Sequence, residues 1–309
     1  MSLIAFVFPG QGSQTVGMGK DLFEKFDSAK KIYAQADEIM EMHLSKISFE
    51  GPSEILKETQ ITQPALFVHS YVLFSLLNDK IQANATAGHS LGEYTANLYA
   101  KSFDFEKGLR LVKTRGRLMK NSGEIQPGTM AALIGLNESQ AKEICEKASE
   151  NDIVVPANFN CPGQIVISGD ISAIERAIII AKAEPYKCKI AKKLEVSGAF
   201  HSPLMQTSDE ELRVALTNTE FNDAKIPVYT NVEGVPITNK DIIKNALYRQ
   251  LISPVKWEDS MRNMMKDGVT KFYEIGSGKV LTGLIKKINP EAEIINISNL
   301  SDLENILNN

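Results

Sequence analysis

A serine between two glycines, in the segment Gly88-His89-Ser90-Leu91-Gly92, constrains this chain more than any other feature of its sequence. The segment follows a short run of small apolar residues at 83–87 and opens a stretch with helical periodicity. A serine in this strand–turn–helix context lies at a nucleophile elbow, a turn so tight that the residues two before and two after the serine must lack bulk. The turn leaves the serine oxygen exposed. We therefore predict that Ser90 is a nucleophile at the end of a strand.

The order of the other predicted elements indicates an α/β protein with a second unit inserted into it. Strands alternate with helices up to residue 127 and again from residue 197, which favours a mostly parallel sheet covered on both faces. Residues 128–196 are predicted to run strand–helix–strand–strand–helix–strand, the order of the ferredoxin-like fold. We therefore expect a catalytic core made of residues 1–127 and 197–309, with 128–196 as a ferredoxin-like inserted α+β subdomain.

Some individual elements are predicted with definite bounds. Helical periodicity covers residues 20–42, 53–78 and about 202–218. Pro64 is predicted to lie early in the second of these helices, where its missing N–H costs nothing. Strands are predicted near 188–196 and at 226–231.

Composition and charge exclude several classes of protein. The formal net charge is −4, whereas a nucleic-acid-binding protein needs a basic balance. The three cysteines (Cys145, Cys161 and Cys188) are far apart and form neither a disulfide framework nor a CxxC metal pair, which fits a reducing compartment. The apolar run at 3–8 is too short for a signal peptide or a membrane span. We expect a cytoplasmic protein that binds neither nucleic acid nor a membrane.

Two glycine-rich turns resemble cofactor motifs but do not satisfy them. The turn at 10–15 has Thr15 where the dinucleotide fingerprint GxGxxG needs its third glycine. The turn at 276–279 lacks the spacing and the Ser/Thr of a phosphate-binding P-loop. No cluster of His, Cys and carboxylate residues has metal-ligand spacing. The sequence therefore predicts no metal and no permanently bound cofactor.

The base for Ser90 is predicted by elimination among four histidines, since a serine hydroxyl is a poor nucleophile until a base takes its proton. His43 and His69 lie in amphipathic helical stretches, and the elbow should point the ring of His89 away from the serine. His201 remains, in the loop that follows the insert. Its orienting group stays open at this point, with Asp209, Asp259 and a backbone carbonyl as candidates.

Two groups of basic residues can be interpreted either as ordinary solvated surface residues or as functional residues. Arg115 and Arg117 lie on one predicted helix, and Arg117 is interpreted as part of a solvated face. Arg115 adjoins a glycine in mid-helix, which suggests that something packs closely against it, yet spacing alone does not decide its role. The lysines in the stretch 187–193 form either a solvated strand edge or a docking patch for an acidic partner.

Seven short motifs, taken together, resemble the malonyl-CoA:acyl carrier protein transacylase family of bacteria. They span nearly the whole chain in a fixed order, and the set is highly specific. The matching segments are Phe8-Pro9-Gly10-Gln11-Gly12-Ser13-Gln14, Thr62-Gln63-Pro64-Ala65, Gly88 to Tyr94, Arg115-Gly116, Asn158-Phe159-Asn160 with Pro162-Gly163-Gln164, the His201 loop, and Gly276-Ser277-Gly278-Lys279-Val280-Leu281.

The resemblance implies an α/β-hydrolase-like core with a ferredoxin-like insert, and it assigns roles to particular residues. Ser90 is the nucleophile and His201 the base, oriented by the backbone carbonyl of Gln250. Arg115 binds the malonyl carboxylate. The remaining implied site residues are the oxyanion-hole N–H groups of Gln11 and Leu91, the cleft residues Gln63 and Asn160, and Phe200, which in related acyltransferases accompanies malonyl rather than branched acyl groups.

The activity that the resemblance implies is malonyl transfer from malonyl-CoA to the phosphopantetheine thiol of an acidic acyl carrier protein, in fatty acid synthesis. Malonyl-CoA is then a substrate, and the phosphopantetheine is carried by the partner. We expect a monomer. The alternatives are a serine esterase or thioesterase, which lets water attack the acyl ester, and a stand-alone polyketide-type acyltransferase. Arg115 and the absence of an evident acidic triad member argue against a hydrolase.

Overall fold

The computed structural model describes residues 3–77 and 80–308, except for the side chains of Ser208 and Asp209. Ten strands are described: β1 (Leu3–Phe8), β2 (Ala85–Gly88), β3 (Gly128–Ile134), β4 (Val154–Cys161), β5 (Gln164–Asp170), β6 (Ile190–Lys193), β7 (Val228–Tyr229), β8 (Pro236–Ile237), β9 (Val269–Ile275) and β10 (Glu293–Ile297).

Fourteen α-helices are described in the same residues: α1 (Lys20–Lys25), α2 (Asp27–Met40), α3 (Leu44–Glu50), α4 (Ser53–Leu56), α5 (Thr59–Leu77), α6 (Gly92–Tyr99), α7 (Phe105–Ile125), α8 (Glu138–Ser149), α9 (Ile171–Lys182), α10 (Asp209–Asn218), α11 (Lys240–Gln250), α12 (Trp257–Lys266), α13 (Val280–Ile288) and α14 (Leu300–Leu307).

The larger sheet has six strands in the order β10-β9-β1-β2-β7-β8, and every neighbouring pair is parallel except β7 with β8. Successive side chains of β1 alternate between its two faces, as the period of a strand requires. Phe6 and Phe8 join one hydrophobic cluster, whereas Ala5 and Val7 join another. The sheet is therefore covered on both faces, as parallel sheets usually are.

The carboxyl ends of these parallel strands meet at one edge of the sheet, where open α/β sheets bind ligands. Gln11 follows β1, Ser90 follows β2, Asn231 follows β7 and Ser277 follows β9. Residues that are far apart in the chain are thereby brought to one place.

The smaller sheet is antiparallel, with strand order β4-β5-β3-β6, and its helices α8 and α9 run between its strands in the chain. It has its own hydrophobic cluster, which includes Ile144, Ile167 and Ile174. β4 is tied to the segment after α11, because Val255 N–H donates to Ala157 O at 2.8 Å and its carbonyl accepts from Phe159 N–H at 2.9 Å. This link fixes one wall of a cleft between the two sheets.

The structure confirms a mixed α/β protein with a mostly parallel sheet and a separate antiparallel sheet, and corrects several element bounds. The predicted helix 20–42 is two helices, since Phe26 adopts an extended backbone between them. The predicted helix 53–78 is α4 and α5, and its end at residue 78 lies outside the described residues. Pro64 is the sixth residue of α5, so its missing N–H removes one helical hydrogen bond, contrary to the prediction.

Three further bounds differ from the prediction. The helix expected at 202–218 begins with a 3-10 segment, Pro203–Ser208, and becomes α-helical at Asp209. The strands expected at 188–196 and 226–231 are confined to Ile190–Lys193 and Val228–Tyr229. For the two strands, only part of each predicted run finds a hydrogen-bonding neighbour in a sheet.

Candidate active site

Close packing of the backbone on both sides of Ser90 produces the elbow. A Cβ atom at Gly88 would lie 1.8 Å from the carbonyl carbon of Gly92, and one at Gly92 would lie 2.1 Å from the carbonyl oxygen of Phe8. Neither position therefore tolerates a side chain. Ser90 has a φ of 51°, in the left-handed region that non-glycine residues rarely adopt. The strained turn places the hydroxyl at the tip between β2 and α6, as the sequence predicted.

Ser90 and His201 form a hydrogen-bonded pair. Ser90 Oγ lies 2.7 Å from His201 Nε2, and His201 Nδ1 lies 2.9 Å from the carbonyl oxygen of Gln250. A carbonyl can only accept, so Nδ1 carries the proton and Nε2 is free to accept from the serine hydroxyl. The imidazole is thus held in the tautomer that a general base needs.

The group that orients His201 is the backbone carbonyl of Gln250, one of the three candidates that the sequence left open. Asp259 lies in the first turn of α12 and does not make this contact. The side chain of Asp209 lies outside the described residues. A carbonyl dipole can orient the ring without adding a full negative charge.

His201 is held in its neutral form. Burial, followed by the nearby Arg115 cation, lowers the pKa of His201 to about 3, outweighing the opposing effect of the hydrogen bond to Gln250. The side chain is 3% exposed. At neutral pH the ring is therefore unprotonated, which leaves the Nε2 lone pair available to the serine hydroxyl.

Arg115 reaches the nucleophile from α7. Its Nη2 donates to Ser90 Oγ and to Gln250 Oε1, each at 3.0 Å, and its Nη1 donates to Gln63 Oε1 at 2.6 Å. The side chain is 1% exposed, and no carboxylate of the described residues lies within ion-pair distance. The next residue, Gly116, lies too close to α5 to carry a side chain, because a Cβ there would lie 2.9 Å from Gln60 Cα. Arg117 instead pairs with Glu211 at the surface, as expected for a residue on a solvated face.

Two backbone N–H groups near Ser90 have no hydrogen-bond acceptor among the described residues, namely those of Gln11 and Leu91. Gln11 lies in the turn after β1, and Leu91 is the residue at the N-terminal end of α6. Free donors at a helix N-terminus favour a negative charge there. That these two groups form an oxyanion hole stays a prediction from the resemblance.

The cleft in front of Ser90 is a cavity of about 210 Å³. Asn160 contributes a polar group to its wall, where Asn160 Oδ1 accepts from His89 Nε2 at 2.8 Å. The ring of His89 is thus turned to the smaller sheet and does not bond Ser90. The other lining residues are mostly apolar and include Gln11, Met119, Met130, Leu194, Val196, Phe200, Val280, Leu281 and Leu284.

Sequence reasoning missed two buried residues behind the nucleophile. Asn231 Oδ1 accepts from Ser90 N–H at 2.7 Å, and its Nδ2 donates to Gly88 O at 2.6 Å. Glu93 Oε2 accepts from Gln250 Nε2 at 2.7 Å and from Asn231 N–H at 3.1 Å. Burial raises the pKa of Glu93 to about 7, despite these hydrogen bonds and Arg115. The available signal for Asn231 was its place after a strand parallel to β2, and for Glu93 its presence in the serine motif.

Residues 3–77 and 80–308 were compared with two other kinds of site, a metal centre and a membrane span, and they form neither. No three His, Cys, Asp or Glu side chains come together there in a way that would hold a metal ion. None of the described helices combines the length and the apolar character needed to cross a membrane.

Comparison with known proteins finds relatives that match nearly the whole chain. Residues 5–297 match the family model described as the acyl transferase domain. The malonyl CoA-acyl carrier protein transacylase of Bacillus subtilis (strain 168) is 43% identical over 306 residues, covering 98% of this chain and 96% of the relative. The chain belongs to the malonyl CoA-acyl carrier protein transacylase family.

Solved structures of that family have the same fold. An acyl carrier protein S-malonyltransferase from Vibrio cholerae superposes with a TM-score of 0.94 at 40% identity, covering 99% of this chain and 100% of that one. A malonyl-transacylase solved in complex with a type II PKS acyl-carrier protein gives 0.94 at 37% identity, with 100% of both chains covered. Membership of the transacylase family thus rests on both sequence and structure.

Proposed function

We propose that this protein transfers a malonyl group from malonyl-CoA to the phosphopantetheine thiol of an acyl carrier protein, through a malonyl ester on Ser90, and thereby supplies fatty acid synthesis. The observation that carries the proposal is the buried guanidinium of Arg115, 3.0 Å from Ser90 Oγ, beside a serine–histidine pair. A nucleophile with a base performs acyl transfer, and the adjacent cation selects an acyl group that ends in a carboxylate.

The first half-reaction forms the ester. Ser90 Oγ attacks the thioester carbonyl as His201 Nε2 takes the hydroxyl proton. Negative charge develops on the carbonyl oxygen and is held by the N–H groups of Gln11 and Leu91, whose donors are already in place. The tetrahedral intermediate collapses, and His201 returns the proton to the departing coenzyme A thiolate.

The second half-reaction repeats these steps in reverse. The carrier's pantetheine thiol gives its proton to His201 and attacks the malonyl ester, and Ser90 leaves with the proton restored. Both the leaving and the entering group are thiols, so one site serves both halves. Neither half requires a metal or a cofactor, and we propose that the protein holds none permanently.

Arg115 is proposed to bind the malonyl carboxylate, because a planar guanidinium gives a carboxylate two parallel hydrogen bonds. Gln63 and Gln250 hold the guanidinium from the protein side. Asn160 and Phe200 are proposed as cleft residues, which their place in the cavity wall supports.

The finer architecture is proposed on the same basis. The six-stranded sheet and its helices, from residues 1–127 and 197–309, form an α/β-hydrolase-like core. Residues 128–196 form a ferredoxin-like insert, which the strand order β6-β3-β5-β4 and the order of elements support. We further propose that the protein acts as a cytoplasmic monomer whose carrier partner is acidic.

Mass spectrometry of the intact protein after mixing with malonyl-CoA, without carrier, tests the proposal. We expect one malonyl adduct on Ser90 that persists until a carrier thiol is added, and none in Ser90→Ala, whose melting temperature should remain close to wild type. An adduct that water removes as fast as the carrier does would indicate a thioesterase instead. Transfer by Ser90→Ala near the wild-type rate would rule out the ester.

A further inference from the structure

The side-chain amide of Gln250 has two chemically different ends, and its neighbours determine which end faces Arg115. Gln250 Oε1 accepts from Arg115 Nη2 at 3.0 Å, whereas Nε2 donates to Glu93 Oε2 at 2.7 Å. In the reversed orientation the amide NH₂ would face a guanidinium, which can only donate, and its oxygen would face a carboxylate. The observed orientation is therefore the one in which both contacts are attractive.

Glu93 provides the shortest of three contacts that make the reversed orientation unfavourable, since Gln250 Nε2 also donates to Ser90 O at 3.0 Å and to Asn231 Oδ1 at 3.3 Å. It is fully buried in the first turn of α6, and its Oε2 accepts from Gln250 Nε2 and from Asn231 N–H. The other oxygen, Oε1, is buried and has no hydrogen-bond partner among the described residues. A buried acid with an unpaired oxygen and no ion pair is destabilising in itself. Its place in the site therefore calls for a role beyond folding.

We propose that Glu93 is a positioning residue for malonyl recognition: it holds the Gln250 side chain with its oxygen toward Arg115, and so aims the guanidinium at the substrate carboxylate. This inference rests on the proposed function. Gln250 orients His201 through its backbone carbonyl, which no side-chain change removes. The amide also donates to Ser90 O at 3.0 Å, a contact that a change at Glu93 does not itself remove. We therefore expect Glu93 to affect the reaction with malonyl more than the reaction with a neutral acyl group.

The test measures kcat/KM for malonyl-CoA and for acetyl-CoA in Glu93→Met and Glu93→Gln. Glu93→Met replaces the carboxylate by a side chain of similar size that lacks its oxygen acceptors. We expect the ratio of malonyl to acetyl kcat/KM to fall about ten- to hundredfold, the usual effect of losing one hydrogen bond to a charged group. Glu93→Gln should keep most of the ratio. The amide oxygen of the new Gln side chain can accept hydrogen bonds from Gln250 Nε2 and from Asn231 N–H. The opposite orientation is unfavourable, because its NH₂ group would then face these two donors.

Asn97→Ala is the matched control. Asn97 is fully buried in the same helix, and its side chain bonds Ser102 and the backbone of Glu93 without touching Gln250. We expect a lower melting temperature and an unchanged malonyl-to-acetyl ratio. Should Glu93→Met fail to fold, Glu93→Asp replaces it with the same expectation, because its shorter side chain does not reach both N–H groups.

A double-mutant cycle tests the route through Gln250. Gln250→Leu should lower the ratio, and adding Glu93→Met to it should lower the ratio no further. Equal losses for malonyl and acetyl in Glu93→Met, or an equal loss of the ratio in Glu93→Gln and Glu93→Met, would overturn the inference. Failure of the wild-type protein to form the malonyl ester would overturn the proposed function instead.

Discussion

Arg115 is a buried cation whose hydrogen-bond partners in the free protein are all neutral oxygen atoms, on Ser90, Gln63 and Gln250. Its Nε is buried and has no partner among the described residues. A buried charge without an opposite charge is destabilising, and an incoming anion relieves this. We therefore expect the resting site to favour binding of a carboxylate next to the nucleophile.

Replacing Arg115 should change acyl preference more than it changes catalysis. In Arg115→Ala we expect malonyl kcat/KM to fall about thirtyfold or more, the effect of truncating one partner of a buried charge pair. Acetyl kcat/KM should stay level or rise, since acetyl has no carboxylate to bind. Arg115→Lys should recover only part of the malonyl rate, because an ammonium does not give two parallel hydrogen bonds.

The control for this measurement is Arg117→Ala, because Arg117 lies on the same helix but pairs with Glu211 at the surface. Its kinetics with both thioesters should match those of wild type. If malonyl and acetyl fall by equal factors in Arg115→Ala, the residue supports the structure and does not recognise the carboxylate.

At the scale of elements, β6 is the edge strand of the smaller sheet and leads directly into the cleft wall. Lys189, Lys192 and Lys193 are exposed along it, and the next residues, Leu194 and Val196, line the cavity. Lys187 is already paired with Glu184. We therefore keep this basic edge as the predicted docking surface for an acidic carrier whose pantetheine arm enters the cleft.

Charge reversal at the edge should weaken carrier use alone. We expect Lys189→Glu with Lys193→Glu to raise the KM for the carrier, most at low salt, because complementary charge mainly raises association rates and is screened by ions. Loading of Ser90 from malonyl-CoA should be unchanged. Lys46→Glu with Lys57→Glu, two exposed lysines on the α3–α4 side, is the charge-matched control. Equal carrier kinetics in both double variants would exclude the edge from docking.

Elements with strong local signals were predictable, and those set by distant partners were not. The elbow was predictable because Gly88 and Gly92 flank the serine at the spacing of the turn, with Gly88 required by the turn itself and Gly92 by its approach to Phe8 of β1. β7 was predicted too long, since only Val228 and Tyr229 find a place beside β2. The break at Phe26 was also missed, because the same helical period continues on both sides of it.

For the whole molecule, three buried histidines connect stability to pH. Burial lowers the pKa of His69 to about 4, and the pKa values of His89 and His201 are also lowered. Below pH 6.5 the unfolded chain binds protons that the folded protein does not, so each histidine makes stability fall as pH drops from 6.5 toward its folded pKa. Glu93 and Glu274, whose pKa values are raised, act in the opposite sense.

The difference in unfolding free energy between wild type and His69→Gln isolates the contribution of His69. This residue lies in α5, with Nε2 3.1 Å from Ser298 O. His69→Gln keeps a donor for that carbonyl and removes the titration. When the pH is lowered from 7 to 5, the free energy of unfolding of the variant should rise by about 2 kcal/mol relative to that of wild type. Denaturant unfolding at the two pH values measures it. A difference that does not change with pH would show that His69 keeps an ordinary pKa.

Site residues could be predicted where the sequence offers few alternatives. They could not be predicted where their place in the site depends on how distant elements pack together. His201 followed by elimination from four histidines, and Ser90 from its turn. Glu93 and Asn231 were missed because nothing in their local sequence shows that α6 and the end of β7 meet behind the serine. Burial of a carboxylate with no ion pair becomes visible only once the sheet order is known.

The place of β1 in its sheet has a consequence for biosynthesis. β1 lies between β2 and β9, and it pairs Leu3 with Val269. A ribosome therefore makes one neighbour of this strand early and the other only after most of the chain has emerged. The strands of the antiparallel sheet all lie within the stretch from β3 to β6, so they can pair with one another while synthesis continues. The nascent chain must keep an unpaired apolar strand edge from aggregating throughout that interval, so its dependence on chaperones should be greatest before β9 appears.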